Sequence, residues 1–271
     1  MAKLPKMDPR LKVEAAIEDG LIKSRLSRHI GPSSLGDPCA RAVWFGFRNF
    51  TRKAHSPRIL RLFGRGHNEE PIVIKDLVAV NVEVISTQEK AVFAHGHGNA
   101  YSDGRVKNIP DAPKTEHLLE IKTSNTRNFN SFVKHGIEKT NIKYWVQIQV
   151  YMSLFKMKRC LYIIVNKETD ERLYLRIKYD KDVAEEYLER AVTIVNYMSP
   201  PPGLTGGATF QCRWCDHKEV CKEGATPLRT CRSCTHFEPM EGGKWYCSTK
   251  RKNLKNKAQK KACKLYQQIR V

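Results

Sequence analysis

The stretch LLEIK, residues 118–122, alternates apolar and charged side chains, and the polar residues TSN follow it. Side chains two apart in a β-strand point to the same face of a sheet. Glu120 and Lys122 should therefore stand side by side on one face, with Leu119 and Ile121 buried on the other. The pair is either a surface ion pair on a half-exposed strand, which contributes little in water, or a metal-holding carboxylate beside a cation that prepares a nucleophile.

The charge of the chain is unusually positive for a soluble domain. Its 271 residues are enough for one sizeable core with a small appendage, or for two domains. The 48 Lys and Arg residues against 28 Asp and Glu give a formal net charge of +20. This excess favours a polyanionic partner, and nucleic acid is the best candidate, although a ribosome-like or merely soluble basic protein would share it.

The hydropathy pattern argues against a membrane. No run of about 18 apolar residues occurs, and no basic amphipathic helix has a clean apolar face. The stretch MAKLPKMDPRLKVEAA (1–16) lacks the apolar segment of a secretory signal. We therefore expect a cytoplasmic protein without a membrane partner.

The predicted elements run from helices, through a meander of strands, to a strand–helix–strand unit. Helices are predicted over 10–29, 40–50, 57–80 with an interruption around GRGHNEEP (64–71), 143–156 and 181–198. Strands are predicted over 91–94, 100–107, 117–123, 160–166 and 172–178. SPPPGLTGG (199–207) is typical of a turn-rich linker. This mixture predicts an α/β core with a helical N-terminal segment and a small C-terminal part.

Two further acidic residues precede the LLEIK strand. Asp103 lies in AYSDGRV (100–106), and Glu70 precedes a proline in GRGHNEEPIV (64–73). Each has a purely structural interpretation, because Asp-Gly favours a hairpin turn and an acid in the first turn of a helix offsets its dipole. Three acids and a lysine in this order, on a very basic chain, form a combination that these separate interpretations do not explain.

Two histidines lie close to Asp103. His95 and His97, in FAHGHGNAYSDG (93–104), could bind a transition metal or line a path for DNA. Such residues are more often polar residues at the edge of a strand, and we expect both to lie outside the site.

The nine cysteines form a second pattern. Without a secretion signal a disulfide framework is not expected. Eight of them divide into two sets of four, Cys39, Cys212, Cys215 and Cys221, and then Cys231, Cys234, Cys247 and Cys263. Thiolates at C-x2-C spacing can grip one metal ion or cluster. Cys160, in KRCLYIIVN (158–166), is expected to be a small core residue.

All-cysteine tetrahedral zinc is the expected occupant of the second set. The fragment from residue 227 onward is too short to fold on apolar burial alone, so a metal would supply much of its stability. His236 is an alternative ligand, although we expect it to be solvated. The basic run KRKNLKNKAQKKACK (250–264) would then lie on a folded surface and contact phosphates, or it would be partly disordered by charge repulsion.

Four motifs in family order resemble the PD-(D/E)XK nuclease superfamily. SDG (102–104) followed by EIK (120–122) is similar to its signature. GHNEEP (66–71) resembles the G-x3-E-P motif of phage recombination exonucleases in the RecB-like branch, and QIQVY (147–151) resembles the Q-x3-Y motif. The resemblance covers about residues 31–221. It implies a restriction-endonuclease-like core with a central mixed sheet flanked by helices.

The resemblance also implies roles for individual residues. The implied magnesium or manganese ligands are the side chains of Glu70, Asp103 and Glu120 and the backbone carbonyl of Ile121. Lys122 would hold or help deprotonate the attacking water and would offset developing negative charge. The helix 143–156 carries Gln147 and Tyr151 on one face, which the resemblance implies borders the DNA, although an amphipathic surface helix would show the same spacing.

The first cysteine set resembles another feature of the RecB-like branch. Its iron–sulfur members, among them CRISPR-associated spacer-processing nucleases and AddB-type helicase–nuclease subunits, combine one distant cysteine with a C-terminal triplet. The resemblance implies a [4Fe–4S] cluster on Cys39, Cys212, Cys215 and Cys221 that joins the two ends of the nuclease core. Zinc accepts the same thiolates, and His217 could replace one of them, so zinc is the alternative.

Together these patterns predict a metal-dependent DNA nuclease, an exonuclease in phage or bacterial DNA recombination, located in the host cytoplasm if a phage encodes it. A CRISPR-adaptation-type nuclease and a non-catalytic DNA-binding protein on the same fold are the alternatives.

The predicted divisions are an N-terminal helical segment (1–30), a nuclease core (31–225) and a zinc-ribbon-like module (226–271). DNA is the expected partner. Because the chain lacks the helicase motif G-x4-G-K-[ST], a helicase is a candidate protein partner, as is a single-strand annealing protein. The oligomeric state is left open.

Overall fold

The computed structural model describes residues 29–52 and 55–271, together with the isolated positions 16, 17, 20 and 26. The helix predicted over residues 10–29, and with it the predicted N-terminal segment, lies almost wholly outside the described residues. Within the described part, no helix combines the length and the apolar character needed to cross a membrane.

The four longest helices begin at a residue whose side chain accepts a hydrogen bond from a backbone amide of the first turn. The helices are α1 (Pro32–Leu35), α2 (Ala40–Phe47), α3 (Pro57–Ala79), α4 (Thr126–Thr140), α5 (Ile142–Leu154), α6 (Lys181–Asn196), α7 (Lys218–Lys222) and α8 (Asn256–Gln259). The side chains of Ser56, Asn125 and Asp180 accept hydrogen bonds from the backbone at the starts of α3, α4 and α6. The predicted helices that correspond to α2, α5 and α6 are confirmed, although each ends a few residues earlier than predicted.

The strands form one central sheet and two small ones. They are β1 (Glu83–Thr87), β2 (Lys90–Phe93), β3 (Gly98–Tyr101), β4 (Gly104–Lys107), β5 (His117–Ser124), β6 (Arg159–Asn166), β7 (Arg172–Lys178), β8 (Phe237–Met240), β9 (Lys244–Cys247) and β10 (Lys252–Asn253). The central sheet has the order β1-β4-β5-β6-β7. Only β5 and β6 pair in parallel within it, with Glu120 opposite Tyr162. The predicted α/β class, with a mixed central sheet flanked by helices, is confirmed.

Strand β5 occupies the middle of this sheet and is covered on both faces. Because β5 and β6 are parallel, the chain must cross over between them, and α4 and α5 make that connection. Leu119 and Ile121 pack with Val73 of α3 in one apolar cluster. Leu118, on the opposite face, belongs to a second cluster that contains Val146 of α5. The expectation of a half-exposed strand is therefore wrong.

Several predicted boundaries also differ from the structure. Helix α3 continues through Pro71 without the predicted interruption, since proline removes one amide donor but its φ suits a helix. The strand predicted over 100–107 is divided at Asp103, and its halves, β3 and β4, join different sheets. Strand β1 and helix α4 were not predicted. Cys160 is buried in β6, as expected.

The C-terminal part packs directly against the core. Strands β8, β9 and β10 form an antiparallel sheet, and the Leu228 amide donates to the Phe50 carbonyl at 2.7 Å. Gly96 and Gly243 both have positive φ, and a Cβ on either would overlap the backbone of the other. Only glycines allow these two loops to meet. The basic run 250–264 is folded as a turn, β10 and α8, with its lysines exposed.

Candidate active site

The end of β5 holds Glu120 and Lys122 on the face that α5 covers. Glu120 Oε1 accepts hydrogen bonds from Lys122 Nζ and from Gln147 Nε2 of α5, the latter at 3.0 Å. The Glu120 side chain is only 1% exposed, and that of Lys122 is 24% exposed. The predicted face-sharing of the two side chains is confirmed. The burial of Glu120 excludes the interpretation as a solvated surface ion pair.

The connection between β3 and β4 brings Asp103 to the same strand. Asp103 Oδ2 accepts a hydrogen bond from the Ile121 amide at 2.7 Å, and the next residue, Gly104, pairs with Leu119. A Cβ on Gly104 would lie 2.5 Å from the carbonyl oxygen of Ser86 in β1. Glycine is therefore required for β4 to pass between its neighbours. Because β3 and β4 belong to different sheets, Asp-Gly is not a hairpin turn here.

Helix α3 supplies the third acid. Glu70 lies in the middle of α3, so the interpretation as a first-turn acid is wrong. Its Oε1 is 3.3 Å from His67 Nδ1. One turn earlier, α3 passes close to the end of β5, because a Cβ on Gly66 would lie in ordinary contact with Thr123 Oγ1, at 3.8 Å. Burial and, next, the charge of Asp103 raise the pKa of Glu70, so the two carboxyl groups lie within electrostatic range of each other.

Burial and the neighbouring charges shift the pKa values of Glu120 and Lys122. Burial raises the pKa of Glu120 to about 8, with Asp103 and Glu70 acting in the same direction and Lys122 against it. Burial lowers the pKa of Lys122, but the carboxylates of Glu120 and Asp103 outweigh that effect, and the net pKa is raised. Lys122 is thus held as a cation. This favours the predicted charge-offsetting role of Lys122 over the predicted role in removing a proton from water.

The donor chemistry of this cluster fits a hard divalent cation. Glu120 Oε2 is buried and has no hydrogen-bond partner among the described residues. Three carboxyl groups share the region with one lysine, and oxygen ligands of this kind are those that magnesium and manganese prefer. The ligand role of the Ile121 carbonyl stays a prediction. Within the described ranges, no three His, Cys, Asp or Glu side chains are already placed as a finished metal-ligand set.

Helix α5 supports Glu120 from behind. Gln147 Nε2 also donates to Tyr151 Oη at 3.0 Å, and burial, followed by the charge of Glu120, raises the pKa of Tyr151 to about 12. Every residue from Val146 to Met152 is buried. The interpretation of this helix as an amphipathic surface helix is therefore wrong. Gln147 and Tyr151 lie beside the acidic cluster, and their predicted contact with DNA stays a prediction.

The first cysteine set is only partly brought together. Cys39, Cys212 and Cys215 line one cavity of about 1200 Å³, which His217 also lines. Cys221 lies on α7, and its Sγ is 3.8 Å from Nη1 of Arg41 rather than on the described lining of that cavity. Burial, followed by the proximity of Cys39, raises the pKa of Cys215. The thiol chemistry of the set fits an iron–sulfur cluster or a zinc ion equally.

The second cysteine set surrounds a much smaller space. Its four members, Cys231, Cys234, Cys247 and Cys263, line one cavity of about 20 Å³. Cys231 and Cys234 are held in a 3₁₀ turn, in which the Cys234 amide donates to the Cys231 carbonyl at 3.1 Å. His236 lines the same cavity.

Sequence reasoning missed the junction between this set and the core. Arg48 and Arg232 are both buried there, and no motif marks them. His97, expected at a polar strand edge, is also buried at this junction, and its Nε2 donates to the Met240 carbonyl at 2.9 Å. Burial lowers the pKa of His97 to about 4, so the ring is neutral at pH 7.

Comparisons with known proteins give distant similarities only. No family profile and no curated protein sequence matches this chain. The alkaline exonuclease LHK-Exo from Laribacter hongkongensis superimposes with a TM-score of 0.46 at 17% identity, over 66% of this chain and 90% of that one. The same exonuclease in complex with dAMP gives a TM-score of 0.46 at 18% identity, over 62% and 86% of the two chains. A phage-related exonuclease from Haemophilus somnus gives 0.41 at 13% identity, over 61% and 91%. These similarities are too distant to assign a family or an activity.

Proposed function

We propose that this protein is a divalent-metal-dependent DNA nuclease of the PD-(D/E)XK type. The observation that carries the proposal is the cluster at the end of β5, where fully buried Glu120 lies with Lys122 and within electrostatic range of the partly buried Asp103 and Glu70, and where the pKa of Glu120 is raised to about 8. Burying several carboxyl groups together is costly unless a positive charge compensates them. A site for a hard cation accounts for this arrangement, and a purely structural role does not.

The residues have separable tasks in phosphodiester hydrolysis. Glu70, Asp103 and Glu120 would hold magnesium or manganese, which lowers the pKa of water and offsets charge on the phosphate when it is bound. Gln147 engages Oε1 of Glu120 and so leaves Oε2 for the cation. Lys122 remains charged and stabilises the negative charge that develops on the phosphate oxygens.

DNA is the proposed substrate because of the excess of positive charge, +20 over the chain. Exonucleolytic action in phage or bacterial recombination is proposed from the similarity of residues 66–71 to the motif of phage recombination exonucleases. On this proposal, the exposed lysines of the run 250–264 contact phosphates and contribute affinity without sequence preference.

A [4Fe–4S] cluster is proposed for the first cysteine set. Three of its members share a cavity lined by α2 and by residues 211–217, and the fourth, Cys221, lies a short distance along the chain. Bound there, the cluster would tie α2 to the segment after residue 210 and so stabilise the core. Anaerobically purified protein should be brown and hold about four irons per chain, and Cys39→Ser should bleach it, whereas Cys160→Ser should not. Colourless wild-type protein without iron would contradict the cluster.

Digestion of end-labelled DNA tests the proposed function. Single- and double-stranded DNA labelled at either end should be shortened in the presence of magnesium or manganese. Glu120→Gln and Asp103→Asn should lower the rate by about 10³-fold, while the exposed control Glu185→Gln should not change it. Binding of DNA without cleavage by the wild type would favour the non-catalytic alternative, and full activity of Glu120→Gln would contradict the site.

A further inference from the structure

The four thiols of the second cysteine set come from three separate places in the chain. Cys231 and Cys234 lie in and just after a 3₁₀ turn, Cys247 is the last residue of β9, and Cys263 follows α8. All four are free thiols, and they line one cavity of about 20 Å³. Since three of them are also buried, the fold places soft sulfur atoms around one small, enclosed space.

The size and the chemistry of this space fit a single zinc ion. About 10–15 Å³ is enough for one water-sized occupant, so a cavity of about 20 Å³ suits one ion, in contrast to the cavity of about 1200 Å³ at the first cysteine set. Zinc prefers four thiolates in a tetrahedron, at zinc–sulfur distances of about 2.3 Å. Among the described residues these thiols do not yet form a finished ligand set. Binding would draw them inward, and each thiol would release its proton to solvent.

The backbone around the cavity already contacts two of the four sulfurs. The Gln267 amide donates to Cys234 Sγ at 3.5 Å, and a donor of this kind orients a thiolate ligand. Cys231 Sγ lies 3.7 Å from the Ala258 carbonyl oxygen and 3.8 Å from that of Lys261. Helix α8 and the residues after it therefore fold back over the turn that carries the first two cysteines.

The segment between the last two cysteines is strongly basic. We call residues 248–262, which join Cys247 to Cys263, the basic loop. The basic loop contains no acid and seven basic residues, all exposed, which are Lys250, Arg251, Lys252, Lys255, Lys257, Lys260 and Lys261. Like charges in one segment repel one another and favour disorder. The loop is nevertheless folded, as a turn, β10 and α8, so other interactions must hold it.

The contacts that hold the basic loop lead back to the cavity of the four thiols. Leu254 and Ala262 line that cavity. The Leu254 amide donates to the Trp245 carbonyl at 2.9 Å, and Nε2 of buried Gln259 donates to the Leu254 carbonyl at 2.8 Å. A metal in the cavity would join the two ends of the loop and would lie directly beneath its apolar side chains. Closing a loop in this way removes much of the entropy that disorder would gain.

We propose that the second cysteine set binds one zinc ion through four thiolates, and that this ion holds the basic loop in place as a surface for phosphates. A loop that is already ordered loses less conformational entropy when it binds a polyanion. Zinc binding is independent of the proposed nuclease activity, because none of the four cysteines belongs to the acidic cluster. The contact between the loop and DNA rests on the proposed function.

Metal analysis of the purified full-length chain tests the zinc site. The wild type should hold about one zinc per chain at this site and keep it against a chelating dye that strips Cys263→Ala. Cys263→His replaces one zinc ligand by another and should keep the metal, as should Cys160→Ser, the buried control outside both sets. If Cys263→Ala does not fold, Cys247→Ser provides the same comparison. Wild-type protein without zinc, or with these thiols oxidised to disulfides, would overturn the proposal.

Digestion with trypsin, which cuts after lysine and arginine, tests whether zinc holds the basic loop. Cleavage within 248–262 follows the fraction of molecules in which the loop is open. Removing zinc from the wild type, or changing Cys263 to alanine, should speed this cleavage by at least about tenfold, whereas Cys263→His and Cys160→Ser should match the wild type. Fragments identified by mass locate the cuts. Equal cleavage of the loop with and without zinc would overturn the holding role of the metal.

DNA binding in buffer without magnesium or manganese tests the phosphate surface separately from cleavage. Cys263→Ala should bind DNA more weakly than Cys263→His and should show a smaller slope of log affinity against log salt, because the loop no longer presents its charges together. Equal slopes for the two variants would overturn the phosphate role. A wild type that binds no DNA at all would overturn that role together with the proposed function, whereas the zinc and trypsin results do not depend on DNA.

Discussion

The acidic cluster at the end of β5 and the arginine junction, which is the buried pair Arg48 and Arg232 with the rings of Trp44, Phe47 and Trp245, have opposite charges but are built alike. In the acidic cluster, Glu120 is buried with Oε2 unpaired among the described residues, and burial raises its pKa to about 8. In the arginine junction, Arg48 is buried with two nitrogens unpaired among the described residues, and burial lowers its pKa to about 9. One region buries a carboxyl group, and the other buries two guanidinium groups.

The difference lies in how each region limits the cost of its charge. Lys122 offsets part of the negative charge in the acidic cluster, through a direct hydrogen bond to Glu120. In the junction, the rings of Trp44 and Trp245 stabilise the guanidinium group of Arg48 through cation–π contacts. Each of these contacts compensates only part of the buried charge in its region. We infer that a hard cation completes the acidic cluster.

The largest expected effect comes from removing the lysine of the acidic cluster. Lys122→Met leaves the carboxyl group of Glu120 buried without its cation, and breaking such a pair should lower the free energy of unfolding by about 4 kcal/mol. Cleavage of DNA should fall by about 10³-fold for the same variant. Denaturant unfolding without divalent metal measures the first effect. The exposed control Lys181→Met should change the stability by less than about 0.5 kcal/mol, and equal losses in the two variants would contradict the account.

A smaller effect is expected from His97, which borders the junction. The folded state holds His97 neutral, with a pKa of about 4 against 6.5 in the unfolded chain. Unfolding therefore takes up a proton below pH 6.5, and about 3 kcal/mol of stability should be lost as the pH falls from about 6.5 to about 4. His97→Gln should flatten this part of the stability curve. Unfolding free energies measured at pH 7, 5.5 and 4 test it, and parallel curves for the two proteins would contradict it.

The smallest effect is expected from the exposed lysines of the basic run 250–264, whose charge lies on the surface rather than in a buried cluster. Lys257, Lys260 and Lys261 are exposed on the folded basic run, so changing them to glutamine should weaken binding to all DNA sequences alike. The slope of log affinity against log salt should fall by about 0.9 for each phosphate contact that is lost. Three lysines away from this run, Lys75, Lys158 and Lys181, provide the matched control. An unchanged slope would show that the run does not contact DNA.

The sequence predicted the acidic cluster better than the junction for a physical reason. Glu120 and Lys122 lie two apart on one strand, so their shared face follows from strand geometry alone. The junction depends on distant contacts, because Arg48 meets Phe237 and Arg232 meets Phe47 across more than 180 residues. A local pattern cannot predict that an arginine is buried, since most arginines are exposed.

The missed elements have a similar explanation. Strand β1 has the exposed–intermediate alternation of a sheet edge, so it carries no strong apolar signal. Helix α4 does bury an apolar face of Phe129, Phe132 and Ile137, but it is otherwise polar and Gly136 with positive φ interrupts its regular pattern. The division of the predicted strand 100–107 at Asp103 depends on which sheet each half joins. Tertiary pairing decides this, and the local sequence does not.

The central claim is that the carboxyl groups at the end of β5 bind a cation. Its most direct test is manganese binding measured by electron paramagnetic resonance. The wild type, purified without added divalent metal, should bind manganese, and Glu120→Gln should not. Because the pKa of Glu120 is about 8 and its proton competes with the metal, binding by the wild type should tighten as the pH rises from 6 to 9. Equal binding by wild type and Glu120→Gln, or binding that does not change with pH, would contradict the account.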